Sequence, residues 1–316
     1  MPCNLSLPDS YRDSTSPIRA KMKRAIPMAY RYEFLSQDQF PQIHQTFREA
    51  FAEYYVDTSG VTETMLYNRA VKNGVDFGVS VGAFKGDRMV AITLVGLDEW
   101  KSAPAAFDIG TGVVPGHRRK GVARDMFDFA AARLRERGVA RFILEVIQEN
   151  EPAIKAYRAA GFRVTREFVC FHWHPGGAEW AGASNPALEM RPVSTDRLAE
   201  FEPHLEWLPS WENSFAAIRR IPDDVAAWGA FERSECVGLL VYYPLINWIT
   251  TLVVKRERRR RGVATALMRQ FAAARPGGSA AVRLVNVDHG DSATLALLRK
   301  VGCEPLVRQY EMELQL

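Results

Sequence analysis

The sequence lacks the features of a membrane-spanning, disulfide-bonded or metal-binding protein. No apolar stretch approaches the ~18 residues that a membrane-spanning helix needs. The pair His172 and His174 has no acidic partner nearby in sequence, so no metal is expected. The four cysteines are Cys3, Cys170, Cys236 and Cys303, and no two of them form a C-x-x-C pair. Their spacing argues against a disulfide framework and predicts reduced thiols in a cytoplasmic protein.

Outside one short segment the chain carries no net positive charge. The formal net charge is +4, but the segment from Lys255 to Arg261 holds six cations and one anion, a net +5, so the rest of the chain is close to −1. The basicity is therefore local. A local basic segment argues against a protein whose whole surface binds nucleic acid or a membrane.

Length and composition fit two globular domains. The 316 residues are 47% hydrophobic and 25% charged, which is enough chain for two domains with a core each. We expect a flexible tail over 1–27 with no assigned function, followed by an N-terminal domain over 28–174. A linker rich in Pro, Gly, Ser and Asn over 175–186 then leads to a C-terminal domain over 187–316.

A basic turn that contains glycine connects a predicted strand to a predicted helix. Residues 106–113 have the pattern of a strand, and from Val122 onward apolar residues recur at the spacing of one helix face. Gly121 lies at the helix start, where the first backbone N–H groups have no internal partner and the helix dipole favours an anion. Three cations precede it, Arg118, Arg119 and Lys120. The turn is therefore predicted to hold a phosphate, although a single turn of this kind is a weak signal.

The same turn occurs a second time in the chain. A shift of 141 residues converts Gly121 into Gly262 and Arg118 into Arg259, and the second turn again follows a predicted strand. The offset still holds about 40 residues later, where Gly161 corresponds to Gly302. A register kept over that distance indicates a duplicated domain.

At these positions the chain resembles the GCN5-related N-acetyltransferases. Arg118-x-x-Gly121-x-Ala123 and Arg259-x-x-Gly262-x-Ala264 are similar to the loop with which that family binds the pyrophosphate of acyl-coenzyme A. The segment 150–162 is similar to a later helix of the family, with its asparagine, its tyrosine and its Gly-Phe ending. The resemblance covers nearly all of residues 28–172 and, more loosely, 187–316.

The resemblance implies an α/β fold with two tandem acyltransferase domains, each a mixed sheet with helices on both faces. Each domain is expected to close its own sheet with its last strand, over 163–172 in the first and 303–314 in the second. In the first domain the pattern predicts helices over 39–54, 62–72 and 151–160, and a hairpin of strands over 77–84 and 89–96.

The resemblance also implies that acetyl-coenzyme A is the co-substrate. Its pantetheine arm is expected on backbone groups of Gly112, Val113 and Val114. Its pyrophosphate is expected on the amides of Arg118, Arg119, Lys120, Gly121, Val122 and Ala123. Asn150 is expected to hold the cofactor arm or to cap its helix, and these two roles are compatible. The matching positions of the second half are Arg259, Gly262 and Ala264.

Three residues are candidates for the chemistry. Tyr157 lies four residues before Gly161, where the family has the tyrosine that protonates the departing sulfur, and a phenol with a pKa near 10 stays protonated at pH 7. The alternative for Tyr157 is a core residue of its helix. Glu145 or Asp108, on neighbouring predicted strands, could take the proton of the amine or hold a cationic acceptor. Both carboxylates could instead serve only in structural hydrogen bonds or salt bridges.

The second half departs from the family pattern. The same shift converts Tyr157 into Leu298, which cannot donate a proton, Glu145 into Asn286 and Asn150 into Asp291. This half could bind coenzyme A without catalysis, complete the substrate cleft of the first half, or catalyse with groups that the pattern does not identify. A non-catalytic role is favoured.

The predicted function is an acetyl-coenzyme A-dependent N-acetyltransferase with a catalytic N-terminal half. The acceptor would be a primary amine of a small molecule or peptide, which attacks the thioester directly. No membrane or nucleic-acid partner is expected. The alternatives are a protein that binds acyl-coenzyme A without turnover, and an enzyme whose catalytic half is the C-terminal one.

Overall fold

The computed structural model describes residues 30–175, 187–275 and 281–316, so the predicted tail over 1–27 and nearly all of the predicted linker lie outside the described residues. In the N-terminal half the helices are α1 (Phe40–Ala50), α2 (Glu63–Lys72), α3 (Val122–Glu136) and α4 (Glu151–Ala159). The strands are β1 (Arg31–Phe34), β2 (Val81–Lys85), β3 (Arg88–Trp100), β4 (Ala103–Val113), β5 (Arg141–Ile147) and β6 (Arg163–Trp173).

The C-terminal half repeats this order with shorter early helices. Its helices are α5 (Leu198–Phe201), α6 (Phe215–Arg219), α7 (Val263–Ala274) and α8 (Ser292–Lys300). Its strands are β7 (Leu188–Val193), β8 (Ala226–Glu232), β9 (Glu235–Tyr243), β10 (Trp248–Val254), β11 (Val282–Asp288) and β12 (Glu304–Gln315). A short 3-10 turn, Trp211–Asn213, precedes α6.

The two halves exchange their last strands. The described strands form one sheet in the order β1-β2-β3-β4-β5-β12-β6-β11-β10-β9-β8-β7. The last strand of the chain, β12, therefore pairs with β5 of the other half, while β6 pairs with β12 and with β11. The expectation that each half closes its own sheet was wrong, because an antiparallel strand pairs equally well from either half.

The sequence pattern located most elements but misplaced several ends: β3 runs to Trp100 and not to residue 96, and β4 begins at Ala103 and not at residue 106. Predicted helix 39–54 ends at Ala50, since the chain turns after Phe51 and Tyr54 N–H donates to Phe51 O at 3.2 Å. Strand β2 starts at Val81 and not at residue 77, because Ser80 N–H bonds to Asp76 O and closes a turn there.

The helices of the N-terminal half pack on opposite faces of the sheet. One apolar cluster joins residues of α1 and α2, including Ile43 and Leu66, to Phe107 and Ile143 of the strands. A second cluster on the other face joins α3 and α4 to Ala106, Leu144 and Val146. Because side chains of a strand alternate between faces, Glu145 points to the face of α1 and α2.

Candidate active site

Strands β4 and β5 pair for a short distance and then separate. Their parallel pairing runs from Ala105–Arg141 to Asp108–Leu144, whereas β4 continues to Val113 and β5 to Ile147. The C-terminal half has the same arrangement, because β10 and β11 pair only at Trp248–Arg283 and Ile249–Leu284. Each half therefore contains a fork between two parallel strands.

The turn that follows the first strand of each fork has the same backbone in both halves. Gly121 has φ 82° and Gly262 has φ 81°, in the left-handed region that glycine adopts without strain. The first helical bonds are Asp125 N–H to Gly121 O and Ala266 N–H to Gly262 O. The preceding amides lie in the first turn, where an intrahelical partner is missing. A Cβ on either glycine would meet no atom closer than 4.0 Å, so the backbone is open to a ligand.

The first arginine of each turn binds the protein itself. The Arg118 guanidinium donates to Val113 O at 3.0 Å and to Ala50 O at 2.9 Å. Arg259 makes the equivalent bond to Val254 O at 3.3 Å and a second to His204 O at 2.6 Å. Both arginines thus tie an early helical segment to the end of a strand. Arg259 also forms a salt bridge with Glu206 at 2.6 Å, so part of its positive charge is neutralised beside the second turn.

The backbone predicted to bind the pantetheine arm lies along the open edge of β4. Val114 N–H donates to Val90 O at 3.0 Å, so this amide belongs to the sheet. Because hydrogen bonding alternates along an antiparallel strand, the Val113 N–H points away from β3, toward the fork. The Phe51 ring lies against Gly112, where a Cβ would come within 2.6 Å of it. Only glycine fits that close approach.

Tyr157 and Asp108 meet at the fork of the N-terminal half. Tyr157 Oη donates to Asp108 Oδ2 at 3.4 Å, and Thr111 Oγ1 donates to the same carboxylate at 2.9 Å. Burial raises the pKa of Asp108 to about 6, although Thr111 and Tyr157 oppose the rise. Burial and the neighbouring Asp108 raise the pKa of Tyr157 well above its usual value. At pH 7 the pair therefore consists of a phenol and a carboxylate.

Glu145 follows Leu144, the last residue of β5 that pairs with β4, and therefore lies at the same fork. Its Oε2 accepts a hydrogen bond from Asn286 Nδ2 at 2.5 Å, and its Oε1 is buried without a hydrogen-bond partner among the described residues. Burial raises the pKa of Glu145 to about 8, and the nearby Glu212 and Glu311 add to the rise. A carboxyl group with this pKa can exchange a proton near neutral pH.

Asn150 caps helix α4, as predicted for one of its two roles. Its side chain accepts from Ala153 N–H at 3.3 Å, and Asp291 accepts from Thr294 N–H at 3.0 Å at the equivalent helix start. Asn150 also contacts Tyr54, whose pKa is raised by burial. Tyr54 therefore lies close to Asp108, whose charge raises the pKa of the phenol, and to Arg69, whose charge lowers it.

The C-terminal fork has apolar side chains where the N-terminal fork has polar ones. Asp108, Thr111 and Tyr157 correspond to Ile249, Leu252 and Leu298, and these three residues pack in one apolar cluster. This fork opens into a cavity of about 570 Å³ lined by residues of the turn, both strands and the segment 204–209. The cavity includes Gly262, Ala264 and Arg259.

The two turns fit the diphosphate of coenzyme A by their open first-turn amides and their cations. Lys120 Nζ donates to Gly116 O at 2.7 Å and remains exposed. Arg119 and its counterpart Arg260 are exposed and share a left-handed backbone, with φ 59° and 60°. In the described part of the chain, no helix could span a membrane, and no three His, Cys, Asp or Glu side chains form a metal-ligand group.

Sequence reasoning missed the residues that reach this fork from elsewhere. Glu212, in the turn before α6, pairs with Arg69 of α2, and its backbone carbonyl accepts from the buried Lys72. Trp211 stacks on Phe107 of β4 at a centroid distance of 5.3 Å. No motif marks these positions, because their partners are set by how the two halves pack.

The comparisons with known proteins identify one family for both halves of the chain. The sequence profile of the acetyltransferase (GNAT) family matches residues 40–162 and again 192–303. The streptothricin acetyltransferase of Streptomyces lavendulae is 43% identical over 84 residues. That match covers 27% of this chain, and the chain spans 42% of the length of that relative.

Two solved structures are similar over nearly their whole length. A tandem GNAT protein from the clavulanic acid biosynthesis pathway has a TM-score of 0.67 and 17% identity, with 91% of this chain and 98% of that chain covered. A GCN5-related N-acetyltransferase from Sphaerobacter thermophilus has a TM-score of 0.69 and 15% identity, with 92% and 97% covered. At these identities the similarity establishes the tandem fold.

Proposed function

This chain belongs to the acetyltransferase (GNAT) family, and on that premise we propose that its N-terminal half transfers an acetyl group from acetyl-coenzyme A to a primary amine by direct attack. The observation that carries the proposal is the polar group at the N-terminal fork. Tyr157, Asp108 and Thr111 are joined there by hydrogen bonds, whereas the C-terminal fork has only apolar residues at those positions.

Tyr157 is the proposed general acid. Its hydroxyl stays protonated at neutral pH because burial and the adjacent Asp108 carboxylate both disfavour the phenolate. Asp108 positions the phenol and is itself ionised at pH 7, since its pKa is about 6. Acetyl-coenzyme A supplies the acetyl thioester, and its pyrophosphate would lie on the amides around Gly121 and its arm along β4 near Val113.

Glu145 is the proposed general base. It lies at the fork on the face of α1 and α2, opposite the face of Tyr157, so an acetyl group bound at the fork would have the base and the acid on opposite sides. A pKa of about 8 suits a group that takes a proton from an amine. Asp108 is the alternative base, but its carboxylate already accepts from Thr111 and Tyr157.

The acceptor is proposed to be a small molecule or peptide with a primary amine. Tyr54, Tyr55 and Asp57 follow α1, and Tyr54 interacts with Asn150 and Asp108 near the fork, which supports this segment as part of the acceptor site. The name of the curated relative makes streptothricin the first acceptor to test.

Release of free thiol from acetyl-coenzyme A in the presence of streptothricin and a panel of amines tests the proposal. The wild type should turn over, and Tyr157→Phe should reduce kcat by roughly 10²–10⁴-fold, because a general acid contributes that much. The affinity for acetyl-coenzyme A should stay within a few fold. Tyr242→Phe is a matched control, since it removes a tyrosine hydroxyl of the C-terminal half, which contacts Asn247 at 2.5 Å. Unchanged turnover in Tyr157→Phe would exclude this tyrosine as the acid.

A second function is favoured by the cavity of the C-terminal half. Its volume of about 570 Å³ and its lining by the second phosphate turn are those of a ligand site. We propose that this cavity binds acyl-coenzyme A without catalysis, because Leu298 cannot supply a proton. Equilibrium dialysis should then find two coenzyme A sites per chain, and in Gly262→Ala the affinity of one of them should fall by roughly 5–30-fold. A single site in the wild type would refute this second function.

A further inference from the structure

One hydrogen bond joins equivalent positions of the two halves. Asn286 is the residue that the repeat places at the position of Glu145, and its Nδ2 lies 2.5 Å from Glu145 Oε2. The same nitrogen is 3.2 Å from Ser210 Oγ, and Asn286 Oδ1 accepts from Gln309 Nε2 at 2.9 Å. The amide of Asn286 is thus fixed on both sides, with one of its protons committed to Glu145.

An irregularity in β11 brings the Asn286 side chain into contact with Glu145. The register of β11 against β6 shifts between Leu284 and Val287, and Asn286 has φ 57° inside the shift. Asparagine tolerates the left-handed conformation better than most side chains. A bulge of this kind re-aims a side chain, so Asn286 reaches Glu145 although β12 and β6 lie between their strands.

Most charges around Glu145 are paired with one another. Glu212 pairs with Arg69, and Arg69 and Lys72 hold the pKa of Glu212 below its usual value although burial acts in the opposite direction. Glu311 accepts from Arg166 at 2.5 Å. The thiol of Cys170 also feels the charge of Glu145. In the described part of the chain, Glu145 itself receives a hydrogen bond from a neutral amide.

We propose that Asn286 is a positioning residue through which the C-terminal half completes the N-terminal active site, by holding the Glu145 carboxyl group at the fork between β4 and β5. The inference rests on the proposed function. It assigns the second half a role in the reaction of the first, without chemistry of its own.

A neutral donor suits a carboxylate that must gain and lose a proton. A guanidinium at this position would form a strong ion pair and keep the carboxylate ionised and weakly basic. The amide of Asn286 fixes the orientation of Glu145 and favours its charged form only modestly, and the pKa of Glu145 remains at about 8.

The test combines a titration of Glu145 with the pH dependence of turnover. Carbon-13 NMR of protein labelled at the glutamate carboxyl carbons follows Glu145, with the resonance assigned by Glu145→Gln. Asn286→Ala removes the donor, and Asn286→Asp keeps the shape but places a second carboxylate beside Glu145. The pKa of Glu145 should rise from wild type to Asn286→Ala and further to Asn286→Asp.

The acidic limb of kcat should move to higher pH in the same order. Turnover of Asn286→Ala at pH 7 should fall about tenfold, the worth of one hydrogen bond to a charged group, and should recover at higher pH. A merely structural role would lower kcat at every pH. Ser210→Ala is the control, because it removes a neighbour of the Asn286 amide and leaves the bond to Glu145.

Three results would overturn the inference. The first is a pKa of Glu145 that is the same in both Asn286 variants and the wild type, and Asn286→Asp decides this point if Asn286→Ala does not fold. The second is a shifted pKa without a shifted kcat profile, which makes the contact structural. The third is a wild type that acetylates no amine. In that case the proposed function fails as well, and a pKa of Glu145 that still shifts in the Asn286 variants distinguishes this failure from the first.

Discussion

In the N-terminal half the fork between β4 and β5 holds Asp108, Thr111 and Tyr157, whereas the C-terminal fork holds Ile249, Leu252 and Leu298 at the same positions. The glycine turns that follow β4 and β10 are nevertheless alike in backbone, with φ angles at Gly121 and Gly262 that agree to within one degree. The duplication has therefore kept the turn and changed the fork.

The difference shows that the turn has a structural role apart from binding. Arg118 and Arg259 each bind the carbonyl at the end of a strand and a second carbonyl in an early helical segment. A carbonyl left without that donor would be costly wherever it is buried. The arginine of the R-x-x-G pattern thus has a structural contact in both halves, and the presence of the pattern alone does not identify a catalytic half.

The largest expected effect concerns the exchanged strands. If residues 1–186 are produced alone, β5 and β6 lose β12, which pairs with β5 from Arg141 to Ile147 and with β6 from Arg163 to His172. We expect this fragment to show no cooperative thermal unfolding by circular dichroism, because the core residues Val146 and Phe168 would be exposed at open strand edges.

Co-production with residues 187–316 is the control, and it should restore a folded complex. If the isolated fragment melted as cooperatively as the full chain, each half could close its own sheet, and the comparison of two halves would become a comparison of two independent domains.

The strand exchange also shows what could be read from the sequence. The turns at Gly121 and Gly262 were predicted correctly because residue types and spacing determine them locally. The fork residues Tyr157 and Leu298 followed from the repeat. The pairing of β12 with β5 and the contact of Asn286 with Glu145 depend on how two similar halves pack, and a local pattern has no information about that choice.

The next largest effect distinguishes the turn at Gly121 from the turn at Gly262. Gly121→Ala and Gly262→Ala are a matched pair, since both have φ near +80° and open space beside Cα. Each alanine costs about 1–2 kcal/mol of backbone strain, and relief of that strain would shift the amides that are proposed to hold the pyrophosphate.

Gly121→Ala should therefore raise the KM for acetyl-coenzyme A by roughly 5–30-fold, while Gly262→Ala should leave it unchanged. Steady-state kinetics with varied acetyl-coenzyme A measures both. The opposite outcome, in which only Gly262→Ala impairs turnover, would assign catalysis to the C-terminal half.

The smallest expected effect is a pH dependence that only the N-terminal fork can produce. Glu145, as the proposed base, can accept a proton only when ionised, and its pKa is about 8, so kcat should rise as the pH increases from 7 to 9. For one group with this pKa the ionised fraction grows about tenfold over that interval. Asp108, with a pKa of about 6, is already ionised at pH 7 and cannot produce a step there.

The amine of the acceptor also titrates at higher pH, and Glu145→Gln separates the two contributions, since it removes only the step near 8. The C-terminal fork has Asn286 in place of this carboxyl group and has no equivalent titration. A step near pH 8 that persists in Glu145→Gln would therefore show that another group is the base.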